Sequence, residues 1–369
     1  MADAFTPAMT VVLGGFVLAF IFGAVANRSN FCIMGAISDV VNMGHWGRVR
    51  MWLLAIAVAI IGASLLQHFA LVDLSKSLYQ RPTLSWLSLI VGGVCFGFGM
   101  TLSGGCANKN LIRLGGGSLR SLVVLIVVGI SAYMTLKGLF AQWRVGYLDP
   151  VVIDLPGLGL ANSTLPTILT RVTGMPAGTA LLTAMTVVSL GLLAFVFRDQ
   201  RFRKNGLQIG SAVVLGLVIV GGWYVTGNLG YRENPETLEM TYFATNSRTL
   251  ESLSFVAPTA YSLELLMLWT DKLLRISFGV ASVIGVVLGS LVAALATKRF
   301  RWEGFASFED LCNQLAGATL MGFGGVTALG CTIGQGISGL STLALGSLLA
   351  VAGIVAGCVG AMQWLKRRL

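Results

Sequence analysis

Charge is scarce in this chain of 369 residues: Asp, Glu, Lys and Arg together make up only 11 %. Soluble domains carry about 25 %, and the shortfall, with 55 % hydrophobic residues and a mean hydropathy of +0.82, points to an integral membrane protein. Histidine is nearly missing, and His45 and His68 lie away from every cysteine motif, so a zinc site lacks its ligand set. The six cysteines include no Cys-x-x-Cys pair and sit in or beside apolar runs, which argues against a disulfide framework and for free thiols. A nucleotide-binding motif is also missing, so the chain carries no sign of ATP-driven work. Met1-Ala2-Asp3-Ala4 lacks the basic start of a cleavable signal peptide, and the first apolar run is long enough to span a bilayer.

What the chain has in excess is glycine, 47 residues of it. Small residues let membrane helices approach closely, and glycine lets them break. The net charge of +10 would suit a nucleic acid, but the basic residues flank apolar spans; topology accounts for them, and no nucleic acid partner is expected. Residues 8–26, 51–72, 82–108, 121–136, 172–197, 205–231 and 276–297 each offer one crossing of a hydrocarbon core about 30 Å thick. The 55 uncharged residues from Leu311 to Leu365 offer two crossings and a piece between. The expected fold is an all-α membrane protein: a single membrane domain over 1–369, with about nine transmembrane helices. Ile33–His45, Cys106–Gly117 and Thr332–Leu340 read as short re-entrant half-helices, because irregular backbone at membrane depth must be buried or line a cavity. With the N-terminus outside and the C-terminus inside, the inward connections carry sixteen Lys and Arg, the last of them Lys366, Arg367 and Arg368. The outward connections carry eight, and Lys137 is left at a helix end where it can snorkel.

The chain repeats itself. Gly97-Phe98-Gly99, five residues, then Gly105-Cys106 is matched 225 residues later by Gly322-Phe323-Gly324, five residues, then Gly330-Cys331. Five spans separate the copies, an odd number, so the copies are inverted. Repeat one covers about 1–141, a connecting span 172–197, and the inverted repeat about 205–369. Inverted repeats with broken helices are a transporter signature. Arg28-Ser29-Asn30 resembles Arg232-Glu233-Asn234, which sets Cys32 opposite Glu236 and leaves it without a twin.

A lone cysteine in an apolar helix usually packs, and Cys95, Cys312 and Cys358 are read that way. Cys106 and Cys331 follow glycine, recur, and open segments of small polar residues. With Cys32 they form a candidate substrate site that also takes in Gly105, Gly330, Asn108 and Thr332. A helix starting at a Gly-Cys break presents free N–H groups and the positive end of its dipole, both favourable to an anion. A neutral thiol adds a polarizable S–H donor, suited to an anion with a terminal sulfur more than to sulfate. Lys109 and Arg113 offer positive field at one mouth, or simply mark the inward face. A membrane sulfurtransferase or thiol oxidoreductase forming a persulfide is the alternative, though it needs an activated thiolate. A structural subunit and a soft-metal transporter are the remaining options; the latter lacks histidine ligands and methionine–cysteine pairing.

Arg28-x-x-Phe31-Cys32-x-x-Gly35, Gly97-Phe98-Gly99-x-x-x-Ser103-Gly104-Gly105-Cys106 and Leu329-Gly330-Cys331-Thr332-x-Gly334-x-Gly336 resemble the sulfur-transport motifs of the YeeE/YedE family of bacterial inner-membrane proteins. The resemblance covers essentially the whole chain. It implies thiosulfate uptake into the cytoplasm, with Cys32, Cys106 and Cys331 lining the path, and a small TusA-like sulfurtransferase as cytoplasmic partner. Family members tied to other sulfur or selenium compounds leave the anion open. The acidic segment 231–275 has no place in this reading.

Overall fold

In lipid a backbone has no water to bond, so each long uncharged run closes its hydrogen bonds internally as a helix. The computed structural model describes residues 7–234, 238–272, 274–305 and 307–367. The first half holds α1 (Pro7–Arg28), α2 (Ile33–Met43), α3 (Gly47–His68), α4 (Trp86–Leu102), α5 (Ala107–Gly115) and α6 (Leu119–Lys137). Short pieces α7 (Leu139–Trp143) and α8 (Leu165–Thr173) lead to α9 (Ala177–Phe197), followed by α10 (Gln200–Arg203). The second half holds α11 (Gly206–Tyr224), α12 (Val256–Met267), α13 (Phe278–Ala296), α14 (Phe308–Thr327) and α15 (Leu345–Lys366). A π-helical turn, Gly334–Gly339, separates the last two.

Local sequence sets the ends. Asn205, Ser277 and Ser307 cap α11, α13 and α14, their side chains accepting from the N–H groups of Gln208, Val280 and Asp310. Gly44, in the left-handed region at φ 64°, ends α2.

The long helices pack in pairs: α1 along α13, α3 along α11, α4 along α15 and α6 along α14. Glycine makes the approach possible. A Cβ on Gly97 of α4 would run into the Ile354 carbonyl of α15, and one on Gly357 into the Val94 carbonyl. One hydrophobic core draws on both halves, from Val11 on α1 to Met362 on α15.

Exchange α1 with α11, α2 with α12, α3 with α13, α4 with α14, α5 with the π turn, and α6 with α15. The α1–α13 contact then becomes α11–α3, α4–α15 becomes α14–α6, and α2–α15 becomes α12–α6. Each of these contacts is present. The span between the halves, α9, packs against α3 and has no such counterpart.

Among the described residues, eight helical stretches are long and apolar enough to cross a membrane. The ninth expected crossing falls on α14, a helix of 20 residues that carries Glu309 and Asp310 in its first turn. All three expected half-helices are present, as α2, α5 and the π turn.

Four departures stand out. The acidic segment is not one loop: Tyr231–Glu233 (β3) pairs antiparallel with Met240–Tyr242 (β4), and α12 comes after them. A second small antiparallel pair joins Thr83–Leu84 (β1) to Ile153–Asp154 (β2). Lys137 is bonded to the buried Glu264 of α12 at 3.0 Å, which also accepts from the Tyr133 hydroxyl. Cys312 is exposed, so it does not pack in the interior as expected, whereas Cys358 is buried beside Thr101. Glu236, the expected counterpart of Cys32, and Arg368 lie outside the described residues. The segment that succeeds α11 as α2 succeeds α1 is α12, and Phe255 stands at its N-cap where Cys32 stands for α2.

Candidate functional site

Three helical segments begin at three cysteines. After α1 the chain turns through Asn30, left-handed at φ 52°, and Cys32 caps α2, its sulfur accepting from the Gly35 N–H at 3.3 Å. Asparagine is among the few side chains that tolerate this conformation. After α4 the chain turns through Gly104 at φ 65°, and Cys106 caps α5 with the Lys109 N–H facing its sulfur. After α14 it turns through Leu329 at φ 57°, and Cys331 opens the π turn, accepting from the Gly334 N–H at 3.4 Å. In all three, the sulfur faces the amide three residues ahead, where a serine or aspartate oxygen normally caps. Sulfur is a weaker acceptor, so these amides stay loosely engaged.

The two Gly-Cys breaks share their hydrogen bonding as well as their sequence. The Gly105 N–H donates to the Met100 carbonyl at 2.9 Å, and the Gly330 N–H donates to the Gly325 carbonyl at 2.8 Å. Both glycines lie close against the next turn of chain. A side chain on Gly105 would press on Lys109, and one on Gly330 on the Gln335 amide. The Asn110 side chain braces the first break by donating to the carbonyls of Gly105 and Cys106.

The thiols are enclosed and close to one another. Cys331 is 0 % exposed, Cys106 2 % and Cys32 9 %. Cys106 lies within electrostatic range of both Cys32 and Cys331 and faces the Thr332 hydroxyl. That hydroxyl is buried and completes no hydrogen bond of normal geometry. Asn108, in the first turn of α5, is buried with its Oδ1 unpartnered. So are Gln335 Oε1 in the π turn and the indole N–H of Trp52 on α3, which lies against Gly336. An unsatisfied buried polar atom costs roughly 1–3 kcal/mol. Several around one thiol cluster fit a place that is completed by a polar guest.

The seven expected site residues thus divide clearly. The three cysteines and Thr332 share one neighbourhood, Gly105 and Gly330 form the turns leading into it, and Asn108 sits on the first turn beyond. Trp52 and Gln335 were not expected. Trp52 stands in a helix whose sequence is otherwise a plain apolar span, and no local signal marks it.

Two approaches lead to the thiols. On one, Lys109 donates to Asn30 Oδ1 at 2.6 Å and Arg113 donates to the Gly104 carbonyl at 2.9 Å. Arg48 presses on Gly35 beside Cys32 and pairs with Asp39 at 3.4 Å. Lys109 senses Cys32, Cys106, Arg113 and Arg48, so this rim is basic and touches two of the thiols. On the other approach, a cavity of about 260 Å³ is lined by Tyr79, Arg81, Arg144, Glu251 and Tyr261 and reaches Leu329 and Gly330. Tyr79 is within electrostatic range of Cys331.

A family model described as sulphur transport matches residues 28–360, nearly the whole chain and all three cysteine turns. The chain belongs to the sulphur transport family. Among its relatives is a protein of Escherichia coli (strain K12) named thiosulfate transporter TsuA, 26 % identical over 339 residues, covering 89 % of this chain and 87 % of the relative. A second protein of the same name, from Spirochaeta thermophila, is 25 % identical over 347 residues, covering 91 % and 93 %. For a sulphur transport family member, the enclosed thiols of this chain and its two polar approaches are the features that need a function.

Proposed function

We propose that this chain is an inner-membrane permease that takes thiosulfate into the cytoplasm, passing the anion along neutral thiols by weak hydrogen bonds, without covalent bond formation. The observation that carries the reading is the gathering of three free cysteines, each at the start of a helical segment, between a cavity and a basic rim. The anion enters the cavity from the periplasm and meets Cys331 at its floor. It moves past Thr332 to Cys106 and Cys32, and leaves through Arg48, Lys109 and Arg113. Its terminal sulfur accepts from S–H groups, and its oxygens accept from amides and from side chains such as Trp52. Each contact is weak, and a relay needs weak contacts because a deep well traps the ion.

The basic residues on the inward connections support an N-terminus in the periplasm and a C-terminus in the cytoplasm. The exchange symmetry of the helix contacts supports two inverted repeats around the thiols. A dianion entering a negative-inside cell loses about 4.6 kcal/mol per 100 mV, from about 2.3 per charge. Uptake therefore needs a coupled ion or rapid consumption of sulfur inside. A TusA-like sulfurtransferase at the basic face would serve the second purpose.

The test is uptake into proteoliposomes with thiosulfate, sulfate and selenium oxyanions in competition. Thiosulfate should enter and sulfate should neither enter nor compete at similar concentration. Equal handling of sulfate would remove the role given to the thiols.

A further inference from the structure

The cavity on the Cys331 side holds a feature that the thiol path does not use. Leu250 bridges to Ser77, which draws the segment carrying Glu251 against the segment carrying Tyr79 and Arg81. The Glu251 backbone carbonyl accepts from the Thr226 hydroxyl, and its Oε1 accepts from both the N–H and the hydroxyl of Ser247. The carboxyl is thereby fixed at the cavity wall, open to the cavity on one side and packed by protein on the others.

Its charged neighbours matter. Arg144 faces the same cavity but is paired with Asp149 at 2.9 Å. Arg81 lines the cavity, and among the described residues neither arginine forms an ion pair with Glu251. Tyr79 and Tyr261 complete the wall, and both feel the Glu251 charge. Through Tyr261 the Lys137–Glu264 pair also reaches this corner. Burial pushes the Glu251 carboxyl above the ordinary carboxylate range, and the two Ser247 hydrogen bonds pull it back.

A dianion in this chamber would share it with a carboxylate that no cation offsets. We propose that Glu251 is a proton-binding site linked to anion occupancy, so that a divalent sulfur oxyanion loads the chamber together with one proton. Neutral Glu251 removes the repulsion, and Arg81 then faces the anion uncontested. The linkage is reciprocal: the bound anion favours the protonated carboxyl by the same factor that the proton favours the anion. The inference rests on the transport reading above and deepens it, since one proton per anion lowers the net charge carried inward.

The test is the KM for thiosulfate in proteoliposomes of the full chain, measured from pH 5 to pH 9, with pH equal on both sides. Wild-type KM should rise with pH above the Glu251 titration, by up to about tenfold per pH unit, the limit for one linked proton. Glu251→Gln should flatten the profile, bringing the ratio of KM at pH 9 to KM at pH 6 close to one. Ser247→Ala, which removes the hydroxyl that favours the charged carboxyl, should move the profile to higher pH and serves if the glutamine variant does not fold. A flat wild-type profile, a Glu251→Gln variant that keeps the wild-type profile, or a Ser247→Ala profile that does not move would each overturn the linkage. Wild type that moves no thiosulfate at any pH would instead sink the transport reading.

Discussion

Gly104-Gly105-Cys106 and Leu329-Gly330-Cys331 are the same turn built from different residues. Both place a left-handed residue two positions before the cysteine, and both tie the intervening glycine back to the preceding helix. Beyond the cysteine the two segments part. Cys106 leads into a nine-residue helix carrying Lys109 and Arg113 at a basic rim. Cys331 leads into an uncharged π turn in which every residue from Gly334 to Gly339 is buried. Duplication kept the turn that presents a thiol, and the surroundings diverged into a charged mouth and a dry neck. Cys32 adds a thiol where the other half has Phe255, so the path has an odd member on the basic side.

That contrast can be broken at several points. Cys106→Ala and Cys331→Ala each remove a donor from the buried path, where a hydrogen bond to a charged group is worth roughly 1.5–3 kcal/mol. Initial uptake should fall on the order of 10–100-fold in each. A variant with full uptake would show that the two turns are not equivalent gates. Next, Lys109→Met should lower uptake several-fold at low salt and much less at high salt, because rim charges are screened. An effect independent of ionic strength would make Lys109 structural.

The smallest effects concern the turns themselves. Gly104→Ala places a Cβ in the left-handed region and should cost about 1 kcal/mol of stability. Leu329→Gly relieves the same strain but loosens the unfolded chain, so the net gain should stay below about 1 kcal/mol. Thermal unfolding in detergent reads both, and a loss of stability in Leu329→Gly would mean that packing by the leucine outweighs its strain.

Much of this was legible in the sequence. Uncharged runs become helices because lipid offers the backbone no other partner, so Pro7–Arg28 and Leu345–Lys366 were bounded to within a few residues. The half-helices were readable because glycine, asparagine and threonine interrupt runs that have no reason to leave the membrane. α12 was hidden: its Glu264 looks like a loop residue until Lys137 and Tyr133, more than a hundred residues away, are brought to it. Glu251 was hidden for the same reason, since the cavity that gives it meaning is assembled from four separate segments. Trp52 carried no signal, because an indole in an apolar helix is chemically silent until its N–H is found unpartnered beside the thiols.

The central claim is that thiosulfate passes the three thiols intact. Thiosulfate labelled differently at its terminal and central sulfur atoms, given to proteoliposomes of the wild-type chain, tests it directly. The account predicts that both labels enter together at a one-to-one ratio, with no persulfide left on Cys32, Cys106 or Cys331. Terminal-sulfur label inside, with the central sulfur left outside as sulfite, would contradict it and make the protein a sulfurtransferase.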